Sequence, residues 1–113
     1  MESAPPAARI LIDVPEDLPR ELVAQFFDSC REDLSRLHAA LAASDYDSAR
    51  LLGHRMKGTG SPYGFLDVTL IGRAIEHAAV TRASVELASQ IRLLEAYLGL
   101  VEIAPGTSEM DPR

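Results

Sequence analysis

The 113-residue chain has the length of one compact domain, and its 47% hydrophobic and 25% charged residues are ordinary for a globular fold. No room is expected beside it for a kinase, receptor or DNA-binding domain. A formal net charge of −6 opposes broad attraction to nucleic acid or to an anionic membrane surface, so protein partners are the expectation.

Met1 to Pro6 lacks the basic start and apolar run of a signal peptide. Nothing later reaches the ~20 apolar residues of a membrane span, and a cytoplasmic protein is expected. Residues 1–9, rich in Ala and Pro, and 105–113, with Pro105, Gly106 and Pro112, read as flexible tails around a domain over 10–104. Ile10-Leu11-Ile12 reads as a short extended lead-in packed against helices.

From Pro19 to about Ala43, Val23, Phe26, Phe27, Cys30, Leu34, Leu37 and Leu41 recur at the spacing of one amphipathic helix face. The lone Cys30 falls on that stripe and is expected to be a buried small hydrophobe. Ser44-Asp45-Tyr46-Asp47 interrupts the pattern and offers caps for a second helix running to about Ser61, before Pro62 and the turn at Gly64. A third helix is predicted over roughly Phe65 to Val80 and a fourth over roughly Ser84 to Ile103. The spacing predicts an all-α fold, an antiparallel up-and-down four-helix bundle behind the lead-in, with no sheet. Its predicted core holds Phe26, Cys30, Leu34, Leu52, Met56, Leu70, Ile75, Ile91, Leu94 and Leu98.

The second helix departs from its own propensity. Gly53, Gly58, Gly60 and Gly64 crowd into it and its exit, although each glycine inside a helix costs about 1 kcal/mol relative to alanine. Its buried line runs through Ala49, Leu52, Met56, Thr59 or Gly60, and Tyr63. His54 then stands about 200° from both Leu52 and Met56 and points to solvent. Arg50 and Leu51 lie one turn behind it, Lys57 and Gly58 one turn ahead.

This constellation suits a phosphoryl group carried on the ring. A neutral imidazole, with an unperturbed pKa of ~6.5, keeps a nucleophilic lone pair at physiological pH. Lys57, the single lysine of the chain, can meet phosphate oxygens, and a glycine leaves room for an approaching protein. Phosphoryl transfer asks mainly for position and charge neutralisation. A solvated histidine is the plain alternative, and it is the reading for His38 and His77, which have no glycine or lysine at helical spacing. No His, Cys or carboxylate lies three or four residues from His54, so no metal site is expected. Thr59 and Ser61 lack the base and orienting group of a hydrolytic nucleophile.

At His54, Lys57, Gly58 and Gly64 the chain resembles the HPt family, the histidine phosphotransfer domains of bacterial phosphorelays, whose pattern is His-x-x-Lys-Gly followed six residues later by Gly. Leu70, Ile71 and Glu76 resemble the family's third helix, and the likeness covers roughly 10 to 103. The resemblance implies a four-helix bundle whose His54 is phosphorylated on Nε2, with Lys57 beside the phosphate and Gly58 and Gly64 permitting close approach or tight packing. It implies a stoichiometric phosphoryl carrier, not an enzyme, which takes phosphate from one receiver-domain aspartate, relays it to another, and needs no cofactor. A receiver would dock on the first and second helices around His54, with Leu51 as the apolar part and Arg50, Arg55 and Lys57 as the charged rim; a monomer is expected. Two alternatives stand beside it. The dimerisation helix of a histidine kinase would carry an acidic residue where Arg55 follows His54. A non-catalytic bundle would bind receivers or other signalling proteins without transfer.

Overall fold

The computed structural model describes residues 10–12 and 16–103. The tails expected at 1–9 and 105–113 lie outside these residues. Four helices carry the fold: α1 (Arg20–Ala42), α2 (Tyr46–Thr59), α3 (Leu66–Val80) and α4 (Ser84–Leu100), with a single 3₁₀ turn at Ser61–Tyr63 between α2 and α3.

Each boundary has a local cause. Pro19 precedes α1 in extended conformation, and its carbonyl accepts the Leu22 and Val23 amides. Asp45 caps α2, one carboxylate oxygen accepting the Ser48 amide at 3.1 Å and the other its hydroxyl at 2.7 Å. These bonds hold the Asp45 carboxyl below its usual range. The connections after α1 and α3 share one solution: Ser44 and Arg82 take left-handed backbone, and the next amide reaches back to Ala40 or Ala78. Such short connections turn each helix back along its predecessor.

The core lies between the four helices, where Leu37, Met56, Phe65, Ile75, Leu87, Ile91 and Leu94 are fully buried, each worth about 1.5–3 kcal/mol over an exposed position. Cys30 is buried as expected, and desolvation pushes its thiol up to about 12. Phe26 stacks on Tyr63 at 4.7 Å between ring centroids and tilts against Phe65 at 5.2 Å, fixing the turn after α2 onto α1.

Several expectations are corrected. Phe26 and Leu34 are half-buried instead of fully buried, and Leu70 is 46% exposed because Ile71 and Ile75 take the inward positions of α3. The fourth helix stops at Leu100, not Ile103, since Val101 turns to extended backbone. The fold is not free of sheet either. Ile10–Ile12 (β1) and Val101–Ile103 (β2) pair in parallel, with Ile10 opposite Val101 and Ile12 opposite Ile103, so the lead-in meets the segment that follows α4. Both segments are dominated by β-branched residues, which suit a pleated ribbon better than a helix end.

Candidate functional site

The register of α2 against α3 builds the site. A Cβ added at Gly53 would stand 2.7 Å from the Glu76 amide nitrogen and 2.8 Å from the Gly72 carbonyl, and one added at Gly72 would stand 2.6 Å from the Lys57 nitrogen. The two backbones therefore approach as closely as only glycine allows. Gly60 repeats the arrangement against Phe65 and Thr69, at the end of α2. Gly53 with Glu76, Lys57 with Gly72 and Gly60 with Thr69 descend in antiparallel order. That register carries Glu76 of α3 to the exposed face of α2.

His54 points outward as the helical phase requires, its side chain 63% exposed. Its Nδ1 lies 3.0 Å from Glu76 Oε2, while Lys57 Nζ lies 2.7 Å from Glu76 Oε1. One carboxylate thus spans the histidine and the lysine, an oxygen to each. An ionised carboxylate only accepts, so the proton must sit on Nδ1 of the neutral ring, and Nε2 carries the lone pair toward solvent. The Lys57 hydrogen bond, and after it the His54 bond, hold the Glu76 carboxyl below the usual glutamate range, so it is ionised throughout the physiological range.

The remaining expected site residues divide. Gly58 is exposed and a Cβ there would meet nothing within 4 Å, so it leaves open surface beside Lys57. Leu51 is 58% exposed one turn before His54, above a groove lined by Ala39, Ala40, Ala43 and Leu52. Arg50 is half-buried and makes no ion pair among the described residues. Arg55 is not a free rim charge: its guanidinium donates to Asp33 Oδ1 at 2.6 Å, and Arg36 donates to the same oxygen at 3.0 Å. Asp33 is the one charged residue that is buried among those described, and the pair fastens α2 to α1. Gly64 adopts a left-handed conformation, φ 91°, and serves the turn after α2, not the ring. α3 thus adds Glu76 to the His54 face, while α1 and α2 together line the groove beside Leu51. His38 bonds Glu95 of α4 at 3.0 Å with no lysine beside it, and among the described residues the His77 ring has no comparable network.

Comparison with protein-family profiles matches the Hpt domain over residues 21–104, nearly the whole helical bundle. The chain belongs to the Hpt domain family. No curated protein and no solved structure matches it. Hpt domains are phosphocarrier modules that work with receiver domains in phosphorelays, and the four helices here are that bundle. Among the described residues of this Hpt domain, no helix is long and apolar enough to cross a membrane, and no three His, Cys, Asp or Glu gather as metal ligands. Glu76 is the residue missing from the expected site. It lies on a different helix, 22 positions from His54, and the usable signal was Gly72: a second helix glycine that matches Gly53 and sets the register.

Proposed function

We propose that His54 of this Hpt domain accepts a phosphoryl group from a receiver-domain aspartate and relays it to the aspartate of another. The observation that carries this reading is the Glu76 bridge, which keeps the proton on Nδ1 and leaves Nε2 as the nucleophile. Nε2 attacks the phosphorus of the aspartyl phosphate in line, the P–O bond to the aspartate breaks, and the carboxylate leaves with its electron pair. The phosphoramidate so formed holds a positive ring whose Nδ1–H remains on Glu76. Attack by a second aspartate reverses the step and returns the lone pair to Nε2. No ATP enters.

Lys57 neutralises phosphoryl oxygens in this scheme. Its Nζ is held on Glu76 in the free protein, and a swing of the flexible stem takes it to a group on Nε2 while Glu76 keeps the ring. Leu51, with the groove beneath it, and the open surface at Gly58 form the contact for the receiver, with Arg50 and Lys57 as steering charges toward its acidic pocket. Arg55 serves through Asp33 by seating α2, and Gly64 by closing the turn.

The test is incubation with receiver domains phosphorylated on aspartate, followed by mapping of the transferred label. Label is expected on His54. His54→Gln should keep the helical spectrum and take no phosphate, since an exposed side chain adds little to packing. Lys57→Ala should slow transfer or shorten the lifetime of the phosphorylated form without abolishing it. Label on His38 or His77 would refute the assignment, and no label from any receiver would favour a bundle that binds without transfer.

A further inference from the structure

The carboxylate of Glu76 meets two partners whose needs conflict. Its Oε2 lies 3.0 Å from His54 Nδ1 and its Oε1 2.7 Å from Lys57 Nζ, and it is the most buried of the three, its side chain 21% exposed against 63% and 36%. To accept phosphate the ring must be neutral, because a second proton would take the Nε2 lone pair. A carboxylate held against Nδ1 opposes that, since its charge favours the imidazolium. To give phosphate up the ring must do the reverse and keep its Nδ1 proton, so that it leaves phosphorus as neutral imidazole and not as an imidazolate anion.

Lys57 can serve both needs in turn. While it holds Oε1, its positive charge offsets that of the carboxylate at the ring. We propose, resting on His54 as the phosphoacceptor, that Lys57 acts through Glu76 as a charge switch: in the free domain it keeps the ring neutral, and on phosphorylation it turns to the phosphoryl oxygens and leaves the whole Glu76 charge to hold the proton on Nδ1. The step balances without a further reactant. Nε2 spends its lone pair on phosphorus as the donor aspartate leaves, and in the return step the P–N pair goes back to Nε2 while the Nδ1 proton stays where it is. Lys57 is thus a positioning residue for that proton as well as a counter-ion for the phosphoryl group. A compact charge on a flexible stem suits the move, and Gly58 beside it leaves open space.

The other charges around the ring are a constant background. On α2, Arg50 lies one turn before His54 and Asp47 two turns before it; on α3, Arg73 lies one turn before Glu76 and His77 follows it. The α1 charges that meet α2, Asp33 and Arg36, are tied up with Arg55. All of them are the same in the variants below, so differences between variants report Lys57 and Glu76.

Nitrogen NMR of the full chain, labelled in its histidine rings, follows the protonation of His54 directly, with His38 on α1 as an internal control. Lys57→Met keeps the stem and removes the charge. The pH at which the His54 ring takes its second proton should rise by roughly half a unit in that variant, as for one charge removed from an exposed pair, while His38 stays in place. In a Glu76→Gln background the same substitution should move it by less than half as much, because the lysine then has no carboxylate to offset. Phosphoramidate, a small donor that needs no receiver, tests the chemistry. In Lys57→Met the acid limb of acceptance against pH should move up with the ring, an extra loss of about threefold below the midpoint that is recovered at higher pH, whereas a lysine that only binds phosphate would lower the rate without moving the limb. In the phosphorylated wild type the Nδ1 proton should persist to higher pH than in phosphorylated Glu76→Gln. An unmoved or lowered His54 titration in Lys57→Met, an equal movement in both backgrounds, an unmoved limb, or an Nδ1 proton lost no later in the wild type than in Glu76→Gln overturns the switch alone. Phosphoramidate that fails to label His54 overturns it together with the phosphoacceptor on which it rests.

Discussion

Gly53→Ala and Gly58→Ala introduce the same methyl group five residues apart in one helix, and the structure gives them opposite signs. At Gly58 a Cβ meets nothing within 4 Å, so only helix propensity acts and the variant should gain about 0.5–1 kcal/mol. At Gly53 the Cβ would stand 2.7 Å from one backbone atom of α3 and 2.8 Å from another. Neither can rotate aside, so α3 must retreat by about 0.7 Å or more to restore ordinary contact. Overpacking of that kind costs about 1–3 kcal/mol, and subtracting the propensity gain leaves a net loss of about 1–2 kcal/mol. For a domain of this size that is roughly 5–15 °C in Tm. The contact that opens is the Glu76 backbone itself, so the 3.0 Å bond to His54 lengthens toward ~3.7 Å, past the hydrogen-bonding limit. Urea unfolding of both variants, with the rate of phosphate acceptance measured alongside, checks the pair. A Gly53→Ala variant as stabilised as Gly58→Ala, with unchanged transfer, would show that the close approach of α2 and α3 does not constrain the site.

Four further outcomes are expected. Because the Glu76 carboxyl is held below the glutamate range when folded, its network adds stability above that range and loses it as pH falls through the lowered value; the urea midpoint of the wild type over Glu76→Gln should therefore be larger at pH 7 than at ~3, and a difference that does not change with pH would contradict the bridge. Glu76→Gln should also slow phosphate acceptance at neutral pH while the helical spectrum is retained, since the tautomer of His54 is no longer imposed. Asp33→Ala leaves Arg55 and Arg36 without their shared oxygen and should cost about 1–3 kcal/mol, toward the low side of buried-pair losses because both guanidinium groups reach solvent; calorimetry decides it. Ser44→Gly should raise Tm by a few degrees, about 1 kcal/mol, because its left-handed backbone suits glycine, whereas Arg82→Gly should gain less because Arg82 also lies over the Tyr46 ring at 5.1 Å.

What the chain reveals unaided follows the range of the interaction. The phase of α2 was legible because Ala49, Leu52 and Met56 repeat along a single helix, and that phase alone sends His54 outward. The cap at Asp45 was legible for the same local reason. Leu70 was misplaced because α3 is apolar on more than one side, and spacing cannot say which of Leu70, Ile71 and Ile75 faces inward until α2 is packed against it. The strands escaped notice because Val101-Glu102-Ile103 continues the pattern of α4 and shows its extended form only when Ile10 is opposite. Glu76 and Asp33 belong to pairs formed between helices. Asp33 could have been noticed as a charge on the apolar stripe of Cys30 and Leu37, but its partner Arg55 could not be named from spacing.

The ribbon that joins Ile10–Ile12 to Val101–Ile103 also bears on how the chain folds. The contacts of α2 with α3 close over a short hairpin, which loop-closure entropy favours early, whereas the ribbon closes nearly the whole chain into a ring and must wait until the helices have assembled. An interaction absent from the transition state governs the rate of leaving the native state and not the rate of reaching it. The ribbon is therefore a kinetic latch: its two segments, from opposite ends of the sequence, open together, and weakening either one shortens the lifetime of the folded domain while refolding proceeds at the same pace.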